Sequence, residues 1–164
     1  MDPGDKAMII RTGRLILREF VAEDWPAVMA YQSDPRYLRY YEWVGRTDDE
    51  VQAFVQRFLN WQAERPRLKY QLAITLPEGA RPIGNCGVRL EEAGTQIGEL
   101  GYEIAPPYWG RGYATEAAGA MMHFGFEELG LHRIWGQTVV ENVASQRVME
   151  KLGMRPEGRL RETQ

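Results

Sequence analysis

The sequence predicts an α+β domain whose strands are mostly joined by hairpins. Three observations predict it. Four strand-like segments, most of them joined by hairpin turns, precede the central helix, so the regular strand–helix alternation of a parallel sheet is missing. That helical segment carries Ala114, Ala117, Ala118, Gly119 and Ala120, small residues that let a helix lie close against a sheet. Finally, no repeat, low-complexity tract or linker interrupts the 164 residues, so residues 1–164 are expected to form a single domain.

Taken in order, Arg14-Leu15-Ile16-Leu17-Arg18-Glu19-Phe20 alternates loosely and reads as the first strand. Asp24 before Trp25-Pro26 reads as an N-cap with proline in the first turn, opening a helix to about Gln32. Ser33 to Arg46, with Asp34-Pro35, Tyr37, Tyr40, Tyr41 and Trp43, reads as an aromatic loop with short helical turns. Thr47-Asp48-Asp49-Glu50 is a capping box, and Val51, Phe54, Val55, Phe58 and Leu59 then form one apolar helix face that ends before Pro66. Lys69–Leu76 and Ile83–Glu91 read as a hairpin around Pro77-Glu78-Gly79-Ala80-Arg81-Pro82, and Ala93-Gly94-Thr95 turns into a strand over Ile97–Ala105. Pro106-Pro107 ends that strand. A glycine-rich turn leads to the central helix, about Tyr113 to Leu129. Arg133–Val140 is expected as a strand, Ser145–Leu152 as a short helix closed by Gly153, and Met154–Glu162 as a last strand.

Composition excludes several classes. Lys plus Arg (20) against Asp plus Glu (23) gives a net charge of −3, so no overall positive field attracts nucleic acid or anionic lipid. No apolar run approaches the roughly 18 residues a membrane span needs, and Met1-Asp2-Pro3-Gly4-Asp5-Lys6 is too polar for a signal peptide. The single cysteine, Cys86, cannot pair within the chain, and a cytoplasmic location is expected. His123, His132 and Cys86 lack metal-ligand spacing, so no metal is expected. Ser33 and Ser145 lie outside any Gly-x-Ser-x-Gly elbow.

Two segments carry chemistry. In Tyr108-Trp109-Gly110-Arg111-Gly112-Tyr113-Ala114-Thr115-Glu116-Ala117, a strand exit with two glycines meets a helix start. Several backbone N–H groups then gather at the positive end of a helix dipole, an arrangement that suits a phosphate or pyrophosphate. No Lys-Ser or Lys-Thr follows, as a P-loop requires, and Thr115 stands where a dinucleotide fingerprint has its third glycine. The second segment runs from Asn142 through Ser145 to Leu152-Gly153-Met154; either Asn142 or Ser145 can cap its helix.

Together these segments resemble the GNAT superfamily of N-acetyltransferases, in particular its RimJ/RimL-like, ribosomal-protein-alanine branch. Gly112 and Ala114 occupy the last two fixed positions of that family's Gln/Arg-x-x-Gly-x-Gly/Ala loop, and Trp109 stands at the first, as is common in this branch. Glu99-Leu100-Gly101-Tyr102 and the opening Thr12-Gly13-Arg14-Leu15-Ile16-Leu17-Arg18 match as well. The resemblance implies a GNAT-type fold, a mixed, mostly antiparallel, twisted sheet with splayed central strands flanked by helices, and acetyl-CoA as co-substrate. The pantetheine arm would lie against backbone groups near Ile104 and Ala105, the pyrophosphate against amides of Gly110, Arg111, Gly112, Tyr113 and Ala114 beside Trp109, and Asn142 near the thiol end. The family normally has another strand after the segment matching Gly158–Glu162. Its lack here is expected to expose a sheet edge, with two expectations open: a partner subunit, as in a homodimer, covers it, or the 164-residue chain is a truncated form.

Amine acetylation needs a neutral amine, an oxyanion stabiliser and a proton for the leaving thiolate. Glu99, acting through water, is the expected base, with a solvated strand carboxylate as the alternative; a one-residue bulge would turn Glu103 or Tyr102 inward instead. Ser145 is expected to act on the thiolate. Tyr37, Tyr40, Tyr41, Trp43 and Trp61 can wall an acceptor site, or equally an aromatic core or dimer face. The branch resemblance implies the α-amine of a protein or peptide N-terminus as acceptor, with acetylation of a small amine, or a non-catalytic CoA-binding module, as the alternatives. A polyamine or aminoglycoside would call for a dense acidic cleft, and the adjacent acids Asp48-Asp49-Glu50 are accounted for by helix capping.

Overall fold

A computed structural model describes residues 7–40, 45–138 and 142–158. One six-stranded sheet runs in the order β1 (Ile9–Arg11), β2 (Ile16–Glu19), β3 (Lys69–Thr75), β4 (Gly84–Arg89), β5 (Ile97–Ile104), β6 (Arg133–Trp135). The pairs are antiparallel through β5, and β6 joins β5 in parallel. Helices α1 (Trp25–Gln32), α2 (Pro35–Leu38) and α3 (Asp48–Ala63) follow β2, α4 (Tyr113–Glu127) links β5 to β6, and α5 (Val143–Lys151) follows β6.

The central strand β3 is buried along six of its seven residues because both faces of the sheet are covered. On one face Leu17, Leu72, Ile74, Val88 and Leu100 pack with Ala117, Ala118, Met121 and Phe124 of α4. On the other, Phe20 and Ala73 pack with Val28 of α1 and Val51, Val55 and Phe58 of α3. The fully buried Ala117 and Ala118 explain the small-residue stretch: they set the helix close to the strands. The capping box of α3 forms as expected, with Glu50 N–H donating to Thr47 Oγ1 and Thr47 N–H to Glu50 Oε1.

Four expectations need correction. β1 precedes the expected first strand, paired with β2 through a tight connection in which Thr12 N–H donates to Leu15 O and Leu15 N–H to Thr12 Oγ1. Asp24 does not cap α1 with its side chain. Its carboxylate instead accepts from Val21 N–H, closing the preceding turn, and takes two hydrogen bonds from Arg18 at 2.8 and 2.9 Å. The strand expected over Arg133–Val140 ends at Trp135. Beyond Glu99↔Trp135 the β5–β6 pairing stops, and Gly136–Thr138 follow no strand path; Val139 and Val140 lie outside the described residues. The last expected strand is not formed over Met154–Gly158, and Arg159–Glu162 lie outside the described residues, as do Tyr41 and Trp43.

Candidate active site

Where β5 and β6 part, β5 continues from Leu100 to Ile104 with β4 on one side only. The Ala105 N–H bonds to Ile83 O, which fixes the alternation of the ladder: the amide groups of Tyr102 and Ile104 point away from β4, into the gap. A cleft of about 440 Å³ fills the gap, walled by Tyr102, Glu103 and Ile104 of β5, Asn142, Ser145 and Val148 at α5, and the turn leading into α4. Of the two backbone positions expected to hold an extended ligand, Ala105 has its N–H committed to Ile83 and its carbonyl to Tyr108 N–H, and Ile104 O accepts the Trp109 indole N–H at 2.7 Å. The N–H and C=O of Tyr102 and the N–H of Ile104 are the edge groups left facing the cleft.

The turn is shaped by two glycines. Gly110 and Gly112 have φ of 77° and 81°, a region side-chain-bearing residues rarely adopt, and Gly112 is the N-cap of α4. No side chain caps that helix, so its first amides are left for another acceptor. Gly110, Gly112, Tyr113, Ala114 and Thr115 all line the cleft, which fits the expected anion cradle. Arg111 does not; its guanidinium lies 5.5 Å from the Tyr108 ring.

The turn is clamped from outside. Arg14, at the β1–β2 connection, donates through Nη1 to Arg111 O (2.9 Å) and through Nε to Glu116 Oε1 (2.8 Å), and its guanidinium lies 4.5 Å from the Tyr113 ring. Glu116 also accepts from Arg14 N–H and the Thr12 hydroxyl. Desolvation, the largest single effect on Glu116, works to raise its pKa, but the bonds from Thr12 and Arg14 together hold it below the ordinary carboxylate value. The opening Thr-x-Arg motif and the Thr-Glu-Ala at the helix start are thus two halves of one contact.

At the α5 side, Asn142 is the cap: its Oδ1 accepts from Ser145 N–H at 3.0 Å. The Ser145 hydroxyl is left for other work and lies 2.8 Å from the Tyr102 phenol oxygen. Burial raises the pKa of Tyr102, and the Ser145 hydrogen bond opposes it.

Glu99 is not brought to the cleft. Its carboxylate pairs with Arg89 across the β4–β5 ladder at 3.2 Å. Glu103 lies four residues further along the same face, roughly 13 Å away, and lines the cleft. No bulge is involved, for the ladder is regular from Arg89↔Glu99 to Gly84↔Ile104; the parting of β5 and β6 is what exposes both Tyr102 and Glu103. Glu103 Oε1 accepts from Tyr37 OH (3.0 Å), and Oε2 accepts from Asn85 Nδ2 (2.8 Å) and Gln32 Nε2 (3.1 Å). Tyr37, Asn85 and Gln32 were not foreseen in these roles, because their partners are 66, 18 and 71 positions away in the chain. Of the aromatic residues, Tyr37 and Tyr40 line the cleft, while Trp61 packs on Phe58. Cys86 is buried, which pushes its thiol far up in pKa, and among the described residues no cluster of His, Cys, Asp and Glu could hold a metal ion.

Comparison with known proteins bears on this cleft. Residues 14–155 match the acetyltransferase (GNAT) domain family. The protein named uncharacterized N-acetyltransferase YnaD of Bacillus subtilis (strain 168) is 38% identical over 151 residues, 92% of this chain and 85% of that one. A crystal structure of a GNAT-family acetyltransferase from Bacillus anthracis superposes with a TM-score of 0.78 at 34% identity, covering 92% of this chain and 86% of that one. Mycobacterium smegmatis RimJ in complex with CoA-disulfide shares the fold, with a TM-score of 0.76 at 23% identity over 96% of this chain and 80% of that one.

Proposed function

This chain belongs to the acetyltransferase (GNAT) family, and on that premise we propose that it moves the acetyl group of acetyl-CoA onto the α-amine of a protein or peptide N-terminus. The observation that carries this reading is the opposition of a carboxylate, Glu103, to a hydroxyl pair, Tyr102 and Ser145, in a cleft that ends at uncapped helix amides. The amides of Gly112 to Thr115 receive the pyrophosphate, and the edge groups of Tyr102 and Ile104 receive the pantetheine arm. Glu103 takes a proton from the acceptor's ammonium, and the neutral nitrogen attacks the thioester carbonyl directly in a ternary complex. A C–N bond forms and the C–S bond breaks. Ser145, hydrogen-bonded to Tyr102, supplies a hydrogen bond or proton to the departing thiolate. An α-amine with a pKa of about 7.7–8.0 needs little help to become neutral, whereas a lysine near 10.4 needs more.

Glu103 is the sole carboxylate lining the cleft among the described residues, and Arg147 and Lys151 line it too. That balance disfavours a polycation and supports a single amine flanked by the apolar walls of Tyr37, Tyr40 and Tyr108. The likeness to a structure described as a putative ribosomal-protein-serine acetyltransferase from Vibrio cholerae, with a TM-score of 0.77 at 26% identity over 93% of this chain and 84% of that one, supports a protein acceptor. We place the reaction in the cytoplasm, in keeping with a buried, unpaired cysteine. The test is steady-state kcat/KM for peptides with N-terminal Ala, Ser or Met against spermidine and kanamycin. A preference of at least about tenfold for one peptide is expected. A large advantage for either small amine overturns the acceptor, and failure to release CoA with any amine would leave a non-catalytic CoA-binding module.

A further inference from the structure

Behind Glu103 lies a row of buried amides that the proposed reaction does not itself use. Asn85 stands directly opposite Glu103 in the β4–β5 ladder, and Gln71 lies two pairs further along, on β3, opposite Gly87. Asn85 and Gln71 are 4% and 5% exposed. Asn85 Nδ2 donates to Glu103 Oε2 at 2.8 Å and to Tyr31 OH at 2.9 Å, while Asn85 Oδ1 accepts from Gln71 Nε2 at 2.7 Å. Polar side chains in a sheet core are costly to desolvate, and Gln71 Oε1 is left without a partner. Apolar residues would fill this space at lower cost.

The direction of the row follows from charge. An amide's two ends have nearly the same shape, so its bonds decide which way it faces. An ionised carboxylate only accepts, so Asn85 must turn Nδ2 toward Glu103. Its Oδ1 then faces Gln71, which must answer with Nε2. Gly87 makes the crossing possible: a Cβ there would come 2.3 Å from Gln71 Oε1 and 2.7 Å from its Cδ.

We propose that Gln71 and Asn85 are positioning residues that lock the Glu103 carboxylate in the orientation in which it takes the acceptor's proton, and that Gly87 is the bare position that lets Gln71 reach across the sheet. The inference rests on Glu103 being the base. Without Gln71, Asn85 Oδ1 loses its donor and the amide is anchored only at its Nδ2 end, so the Asn85–Glu103 bond loosens and the carboxylate is held less firmly in its direction.

The test compares the wild type with Gln71→Met, Asn85→Leu and Glu103→Gln, using the preferred acceptor peptide at about pH 6.5 and about pH 9. At the lower pH the α-amine is mostly protonated and needs the base; at the higher it is mostly neutral. Gln71→Met is expected to lower kcat roughly three- to tenfold at the lower pH, to come within about twofold of wild type at the higher, and to leave the KM for acetyl-CoA unchanged. Damage to packing alone would lower kcat equally at both. Asn85→Leu is expected to follow the same pattern more strongly; should it fail to fold, the near-isosteric Gln71→Met still decides. If Glu103→Gln shows no loss, or the same loss at both pH values, Glu103 is not the base. If Glu103→Gln shows the pH-dependent loss while Gln71→Met does not, Glu103 stands and the positioning row is overturned.

Discussion

The Tyr102 phenol and the Ser145 hydroxyl lie 2.8 Å apart, joining β5 to α5 across the gap where β5 and β6 diverge. Since α5 is capped by Asn142 and not by the Ser145 side chain, this hydroxyl can be removed without uncapping the helix.

Ser145→Ala and Tyr102→Phe are each expected to lower kcat roughly ten- to a hundredfold, the scale of a hydrogen bond to a charged group, with acetyl-CoA affinity kept. The double variant should lose little more than the worse single one, because the pair acts as a unit. Asn142→Ala should instead cost about 1 kcal/mol of stability. Kinetics alongside thermal unfolding separate the two effects.

Glu103→Gln should lower kcat by about a hundredfold or more, in line with the contribution of a positioned base, while Glu99→Gln should leave turnover within about threefold of wild type. Glu99 bonds to Arg89 near the surface, and such pairs contribute about 0–1 kcal/mol. Equal losses in both variants, measured at saturating acetyl-CoA, would contradict the assignment.

The Arg14–Glu116 clamp predicts an acid limit. The Glu116 pKa is lowered on folding, so its contribution to stability is present above its unfolded value near 4.5 and is lost as pH falls through the lower folded value. Thermal unfolding from pH 7 down to about pH 3 should show a steeper acid decline in the wild type than in Glu116→Gln. The same variant should raise the KM for acetyl-CoA at pH 7 roughly three- to tenfold with kcat little changed, since the clamp holds the loop and not the reacting atoms.

Gly112→Val should abolish the thermal stabilisation that acetyl-CoA confers by mass action. A Cβ at Gly112 meets Arg14 Nη2 at 3.3 Å, and the backbone sits at φ 81°. Gly110→Ala meets nothing within 4 Å, so only its positive φ counts against it, at about 1–2 kcal/mol. Its acetyl-CoA shift should be reduced less. Differential scanning fluorimetry with and without acetyl-CoA checks both.

Local patterns in the sequence determined much of this protein. The capping box at Thr47 and Glu50, the apolar face of α3, the three antiparallel strands of the centre and the glycines that open α4 follow from interactions within a few residues, so periodicity and turn chemistry make them legible. The loop motif also located the turn at Gly110 and Gly112 that lines one end of the cleft. Tertiary structure alone decided which carboxylate faces the cleft. Glu99 and Glu103 share a strand and a face, and nothing local distinguishes them; the choice falls to where β6 leaves β5 and to the donors Tyr37, Asn85 and Gln32, brought together from α2, β4 and α1. The same holds for the contact between Thr12, Arg14 and Glu116, about a hundred positions apart. A side chain's partner across a sheet is set by register and by the packing of both faces, and those are properties of the whole fold.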